Sequence, residues 1–309
     1  MKVLVQGSAG FVASYLIPQL ARNEVEHVTC VDPKPPRFGK ADWPRQCEFI
    51  PVDRLRDVPG EDFGLVISLA GVTDVDYALQ RPASAFNGNL GIAIDLAEWL
   101  RTTAPTARCI YVSTDEVLGV TETPLTEDAF TKPTQPYAAS KAAAEMILHN
   151  YRDVYDLDIV TLRSCNLIGG RQRAVKLIPV AVQHLALSLP VPIYGTGLQR
   201  REWMSVEDLC SAILLLCDRG AKKGIYHAAT GVHLSVVEVV QHVADAVGVP
   251  LKMCGVADRL VHDACYAMSS DRLRALGWEP RVDPRDAIAA AAREMYAEAK
   301  EGRFRITRI

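Results

Sequence analysis

An α/β fold, a parallel sheet wrapped by helices with a smaller α/β lobe after it, is what this sequence predicts. Short β-like runs alternate with helical patterns over the first two-thirds of the chain. Those runs are apolar without polar alternation, as strands buried on both faces are. A glycine-punctuated turn, Gly7-Ser8-Ala9-Gly10, joins the first run to the first helical pattern.

The elements follow in order. Lys2 to Gln6 reads as a strand and Ala9 to Arg22 as a helix, with Pro18 predicting a kink or local break. Val28 to Val31, Glu48 to Val52 and Leu65 to Leu69 read as further strands. Leu90 to Leu100 is amphipathic and helical, Cys109 to Ser113 a strand, Tyr137 to Tyr155 a helix, and Asp158 to Arg163 a strand. Past Asn166 the rhythm changes. Basic loops (Gly169 to Arg173, Gly195 to Arg201) separate helices near Ile178 to Leu187, Val206 to Cys217 and Ser235 to Val247. The division predicted is 1–165 for one domain and 166–309 for a mainly substrate-binding lobe, some of whose segments return to the first. The Pro-rich patch Asp32 to Pro36 reads as a surface loop.

Composition narrows the function. The chain has 309 residues, 49% of them hydrophobic, enough for a substantial core. A net charge of −3 argues against nucleic acid or membrane lipid as the main partner. No apolar run is long enough to cross a bilayer, and Met1 to Val5 meets Gly7 too soon for a secretory peptide. A cytoplasmic protein is the expectation. The 8 cysteines form no Cys-x-x-Cys pair and several lie in apolar runs, which predicts buried free thiols. No His/Cys cluster has zinc spacing, so no metal is expected.

The turn Gly7-Ser8-Ala9-Gly10-Phe11-Val12-Ala13 sits between the first strand and the first helix. Glycines there let the backbone turn tightly and approach a pyrophosphate resting on the helix N-terminus, as in a Rossmann-type doubly wound sheet. Asp32 ends the second strand, where a carboxylate accepts hydrogen bonds from an adenosine ribose and repels a 2′-phosphate; NAD is therefore expected over NADP. Asp53 follows the third strand, where it either reaches the adenine amino group or caps its own loop.

The most chemical stretch is Ser113-Thr114-Asp115-Glu116, a hydroxyl and two carboxylates at a strand end. Tyr137 and Lys141 stand four residues apart on a predicted helix, on one face. A lysine beside a phenol would lower the phenol's pKa and make a base for an alcohol proton. Spacing alone decides nothing, since Tyr296 and Lys300 match it; that pair reads as a solvated helix face. Adjacent strand residues point to opposite faces, so both carboxylates share one site only if the strand ends near Thr114 and the chain turns there. An ordinary acidic loop is the alternative.

The glycine loop, Asp32, Thr114 and Tyr137-Ala138-Ala139-Ser140-Lys141 resemble the extended branch of the short-chain dehydrogenase/reductase superfamily. Within it, Ser113 to Gly119 resembles the nucleotide-sugar 4,6-dehydratases, as do Lys176-Leu177-Ile178-Pro179, Pro192-Ile193-Tyr194-Gly195, Arg201-Glu202-Trp203 and Asp258-Arg259. The resemblance implies NAD held by Gly7, Ala9, Gly10, Phe11, Val12, Asp32, Asp53, Arg54, Leu69, Ala70, Gly71, Tyr137, Lys141 and Cys165. It implies a nucleoside-diphosphate hexose held by Thr114, Asn166, Lys176, Leu177, Ile193, Tyr194, Arg201 and Arg259, with the three cations at the diphosphate. Tyr194 either lines the base pocket or packs in the core, and Cys165 either faces the nicotinamide or is a structural thiol. Tyr137 would take the C4 hydroxyl proton with Thr114 bonded to the same oxygen, Glu116 the C5 proton, and Asp115 would protonate the departing C6 hydroxyl. Family members pair through the helices at Leu90–Leu100 and Tyr137–Tyr155, so a homodimer is implied. Departures from the pattern surround the sugar and phosphates: Leu118 for the usual tyrosine, a Leu69 to Asp74 segment without the polar residues the family often carries near the hexose, one asparagine at Asn166-Leu167 where the dehydratases often have two, and Leu260-Val261 for Pro-Gly. A different nucleotide-sugar reaction on the same scaffold, such as 4-epimerisation or a shifted dehydration, and a non-catalytic NAD-binding regulator are the competing readings. The retained Tyr137, Lys141 and Thr114 weigh against the last.

Overall fold

The computed structural model describes residues 1–20, 25–36, 43–59, 62–218 and 220–302. The chain begins β1 (Lys2–Gln6), α1 (Phe11–Leu20), β2 (His27–Val31), β3 (Cys47–Ile50) and β4 (Phe63–Ser68). It continues α2 (Val75–Gln80), α3 (Pro82–Thr103), β5 (Arg108–Thr114), α4 (Pro136–Val154) and β6 (Asp158–Ser164). The later elements are β7 (Asn166–Ile168), α5 (Leu177–Ala186), β8 (Val191–Tyr194), β9 (Arg200–Ser205), α6 (Val206–Leu216), β10 (Gly224–Ala228) and β11 (His233–Ser235). α7 (Val236–Val247), β12 (Met253–Val256), α8 (Asp271–Arg274) and α9 (Pro284–Lys300) complete the order.

Seven strands form one sheet in the order β10-β6-β5-β4-β1-β2-β3, each pair parallel. The doubly wound fold expected from the sequence is the fold observed. The strand order reverses between β1 and β4, which opens a crevice at their carboxyl ends. Both faces of the sheet are covered. Val3, Val5, Ile67 and Ile110 pack with α1 and α6 on one side. Leu4, Val66, Cys109 and Tyr111 pack with α3 and α4 on the other. Burial on both faces is why these strands carry no polar alternation.

The later half builds a third core, in which α5, α7 and α9 pack around Trp203 and Leu234. Its strands form a three-stranded sheet, β11-β9-β7, and a two-stranded one, β12-β8. β10 returns to the large sheet beside β6. The helix α7 is set by its ends: Ser235 and Glu238 form a reciprocal capping box, and Gly248 closes it in the left-handed conformation.

Pro18 does not break α1, which runs continuously from Phe11 to Leu20; residues 21 and 22 of the predicted helix lie outside the described residues. Proline has no N–H for the Ser14 carbonyl. Arg171 supplies one instead, Nη1 donating to Ser14 O at 3.0 Å. α3 starts at Pro82 rather than Leu90, because proline is at home in a first helical turn.

Candidate active site

The carboxyl ends of β1, β4, β5 and β6 bring the predicted cofactor residues together. Gly7 sits at φ 80°, and its N–H donates to Val31 O at 2.9 Å. A Cβ on it would lie 2.6 Å from Ala70 N, so the turn after β1 presses on the Leu69–Ala70 backbone that follows β4. Only glycine satisfies both conditions. Ser68 Oγ donates to Gln6 Oε1 at 2.8 Å and ties the two strand ends at the reversal point. Phe11 and Val12 open α1, and Gly10 N donates to Gly7 O at 3.0 Å.

Asp32 does two things. Oδ2 accepts from Ala9 N at 3.2 Å and pins the glycine loop, while Oδ1 accepts from Lys34 N at 3.0 Å in a turn of its own. Asp53 and Arg54 are exposed, ahead of the one-turn helix Leu55–Asp57. Cys165 is 4% exposed, and burial pushes its thiol up. The loop's fitness for a dinucleotide rests on Ser8: its Oγ is buried within the turn and meets no partner among the described residues. A buried hydroxyl left this way calls for a ligand acceptor or donor, and a pyrophosphate on the N-terminus of α1 is one. Gly7, Ser8, Gly10 and Phe11 would hold it there.

β5 ends at Thr114, and Asp115–Leu118 turns at once into a single 3₁₀ turn. This is the turn needed for both carboxylates to serve one site. Thr114 caps it: Oγ1 accepts from Glu116 N at 3.4 Å and donates to Asp115 Oδ1 at 3.0 Å. Asp115 is 2% exposed, and its Oδ2 has no partner among the described residues. Burial first, then the charges of Glu116 and Glu202, hold its carboxyl well above the ordinary value. Glu116 is raised by burial too, but Arg201, Lys176 and a hydrogen bond from Gln135 Nε2 pull it back toward the carboxylate. The environments thus push two neighbouring acids apart, the pattern of an acid and a base.

Tyr137 and Lys141 lie one turn apart on α4, both buried. The lowering of Tyr137 by Lys141 is not found. Burial raises the phenol, Glu116 and Asp115 raise it further, and a hydrogen bond with Thr114 opposes them. Lys141 Nζ donates instead to Tyr111 Oη at 2.6 Å and Val112 O at 3.0 Å. Burial lowers its pKa to about 8. The look-alike pair on α9 is a helix face: Lys300 Nζ lies 5.2 Å from the Tyr296 ring centroid and donates to Ala186 O.

The predicted substrate residues divide. Lys176 caps α5; its Nζ donates to Thr73 O at 2.9 Å, and it interacts electrostatically with Glu116. Arg201 lies over the Tyr266 ring at 4.7 Å and also acts on Glu116. Asn166 opens β7 with its Nδ2 buried and without a partner among the described residues. Leu177 begins α5, and Ile193 is buried on β8. Arg259 is committed in part to the chain itself. Its Nε and Nη2 donate to the two oxygens of Asp76 at 2.7 and 2.8 Å, and its guanidinium lies 4.9 Å from the Tyr194 ring centroid.

Several residues escaped the sequence reading. Gln135 joins Glu116 to the α4 N-terminus, with Oε1 accepting from Tyr137 N at 2.8 Å. Asn89, 2% exposed, binds Val72 N and O and donates to Ser140 Oγ at 2.7 Å, fixing the loop after β4 against α4. A polar residue on the apolar face of an amphipathic helix was its only signal. Asp263 accepts from Thr134 and Tyr266 beside Glu116.

Known proteins share this fold. Residues 3–229 match the NAD dependent epimerase/dehydratase family. A dTDP-glucose 4,6-dehydratase of Actinoplanes sp. is 32% identical over 312 residues, the alignment covering 94% of this chain and 96% of that one. The structure of DesIV, a dTDP-glucose 4,6-dehydratase from Streptomyces venezuelae solved with NAD, superposes with a TM-score of 0.90 at 29% identity and 98% coverage of both chains. A UDP-glucose 4-epimerase from Thermus thermophilus, also solved with NAD, gives 0.86 at 27% identity, with 96% of this chain and 99% of that one covered. With a glycine turn built for a dinucleotide, the Tyr137/Lys141 helix, and a match across most of its length, this chain belongs to the NAD dependent epimerase/dehydratase family and uses NAD as its cofactor.

Proposed function

We propose that this enzyme dehydrates a nucleoside-diphosphate hexose to its 4-keto-6-deoxy form. The observation that carries the reading is the acid pair at the end of β5. Oxidation and re-reduction at C4 alone need one base, whereas elimination of water needs a further base and acid. Asp115, whose carboxyl is pushed well up by burial and by the charges of Glu116 and Glu202, is suited to be that acid, and Glu116, drawn toward the carboxylate by Arg201, Lys176 and Gln135, to be that base.

Bound NAD supplies the acceptor for the first oxidation and the donor for the last reduction. Tyr137 takes the C4 hydroxyl proton while Thr114 bonds the same oxygen. The C4 ketone acidifies the neighbouring C–H, Glu116 removes the C5 proton, Asp115 protonates the C6 hydroxyl, and water departs; Glu116 then returns the proton to C5 as C6 is reduced. The diphosphate is assigned to Lys176, Arg201 and the donors of Arg259 that Asp76 leaves open, with Asn166 beside them. Leu177, Ile193 and Tyr194 are assigned to the base. Residues 166–309 are in this reading mainly the substrate lobe, with β10 and α6 returning to the large sheet. A homodimer through α3 and α4 belongs to the same proposal; Ile94 and Met146 on these helices are 47% and 67% exposed.

A second reading, 4-epimerisation, draws on the likeness to the Thermus thermophilus enzyme. Incubation with a panel of nucleoside-diphosphate hexoses, read by mass spectrometry, separates the two. The dehydratase product is lighter by one water; an isomer of unchanged mass would overturn the first reading.

A further inference from the structure

β5 carries a phenol that the proposed chemistry leaves unused. Tyr111 lies three residues before Thr114 and is 2% exposed among the side chains that α3 and α4 cover. Lys141 Nζ approaches it in two ways, donating to its hydroxyl at 2.6 Å and standing 4.1 Å from its ring centroid. A third contact, to Val112 O at 3.0 Å, comes from the same strand. An ammonium has three N–H donors. Two are committed to β5, and one remains.

We propose that Tyr111 is a positioning residue for Lys141: its hydroxyl and ring hold the ammonium from β5 and leave a single N–H for the bound dinucleotide. What that last N–H meets rests on the chain's use of NAD and not on the reaction proposed above.

The surroundings leave the task to Tyr111. Lys141 is 4% exposed, and an ammonium taken from water needs partners on its protons. Among the described residues, the charged and titratable groups around the Lys141–Tyr111 pair include Tyr137 and Glu145 on α4, Cys109 on β5 and, behind Glu145, Arg163 on β6. Glu145 favours the charged lysine, but both its oxygens are engaged by Arg163, whose Nε and Nη2 donate to them at 2.7 to 3.1 Å. Tyr137 has its phenol hydrogen-bonded with Thr114, and among the described residues the Lys141 ammonium donates to Tyr111 and Val112 instead. The Tyr111 hydroxyl is thus the side-chain acceptor at hydrogen-bond distance, and its ring face adds a cation–π contact. A hydrogen bond to a charged donor is among the stronger ones a side chain makes. Losing it favours the neutral amine.

Tyr111→Phe removes the hydroxyl and keeps the ring; Tyr111→Leu removes both. The lysine Cε resonances of 13C-lysine-labelled protein without cofactor give the ionisation midpoint, with the Lys141 signal identified by its loss in Lys141→Arg. The parent midpoint is expected at about 8. It should fall by about one pH unit in Tyr111→Phe and further in Tyr111→Leu. Calorimetry should show NAD binding weakened about fivefold in Tyr111→Phe. An unchanged midpoint, or unchanged NAD affinity, in Tyr111→Phe would overturn the proposal. Neither readout involves a sugar, so both stand apart from the fate of the dehydratase reading.

Discussion

Asp115→Asn should stabilise the protein while destroying its chemistry. The carboxyl is 2% exposed, one oxygen has no partner among the described residues, and Glu116 and Glu202 oppose a second negative charge beside them. Its folded value therefore lies above the unfolded aspartate's, about 3.9. A group raised in this way contributes stability that is fully present below the unfolded value and lost as pH rises toward the folded one. An asparagine has no such loss. The variant should match the parent near pH 4 and gain on it as pH rises. The gain should grow by about 1.4 kcal/mol for each pH unit above the unfolded value, for as long as the folded carboxyl keeps its proton. Scanning calorimetry from pH 4 to 8 reads this as a Tm rise of roughly 2 °C per kcal/mol for a chain of this size. In the same variant, dehydration should fall about a hundred- to ten-thousand-fold. Two results would refute the reasoning: a variant less stable than the parent at pH 7, or a stability difference that does not change with pH.

Three further outcomes follow from the geometry. Tyr137→Phe should block oxidation at C4, so reduced-cofactor absorbance does not rise in a single turnover, whereas Glu116→Gln should let it rise and then stall. Gly7→Ala places a Cβ 2.6 Å from Ala70 N at a φ of 80°, and should abolish NAD binding by calorimetry while lowering Tm. Arg171→Met should destabilise the parent by about 1 kcal/mol in urea melts but cost less in a Pro18→Ala background, because an N–H at position 18 answers the Ser14 carbonyl that Arg171 now serves.

What was legible in the sequence follows what is local. β1, β2, β4, β5 and β6 were readable because strands covered on both faces are uninterrupted apolar runs. The glycine turn was readable because its glycines are spaced by the backbone's own needs. The carboxylate pair was readable as residues but not as geometry; it took the turn at Asp115 to place both beside Tyr137. α2 is six residues long and started by the Asp74 side chain accepting from Tyr77 N, too short to show a helical period. Long-range partners left no trace. Asp76 meets Arg259 across 183 positions, and Arg171 reaches Ser14 across 157. The effect of Lys141 on Tyr137 was misread for a related reason: spacing puts the two on one helix face, but Tyr111, from a neighbouring strand, is what takes the ammonium.

The central claim is that water leaves between C5 and C6 of the sugar after C4 is oxidised. Deuterium placed at C4 of a hexose that the enzyme turns over tests it most directly, with the product read by mass spectrometry and NMR. The expected product is lighter by one water and carries the deuterium at C6. Deuterium retained at C4 in a product of unchanged mass would contradict the claim.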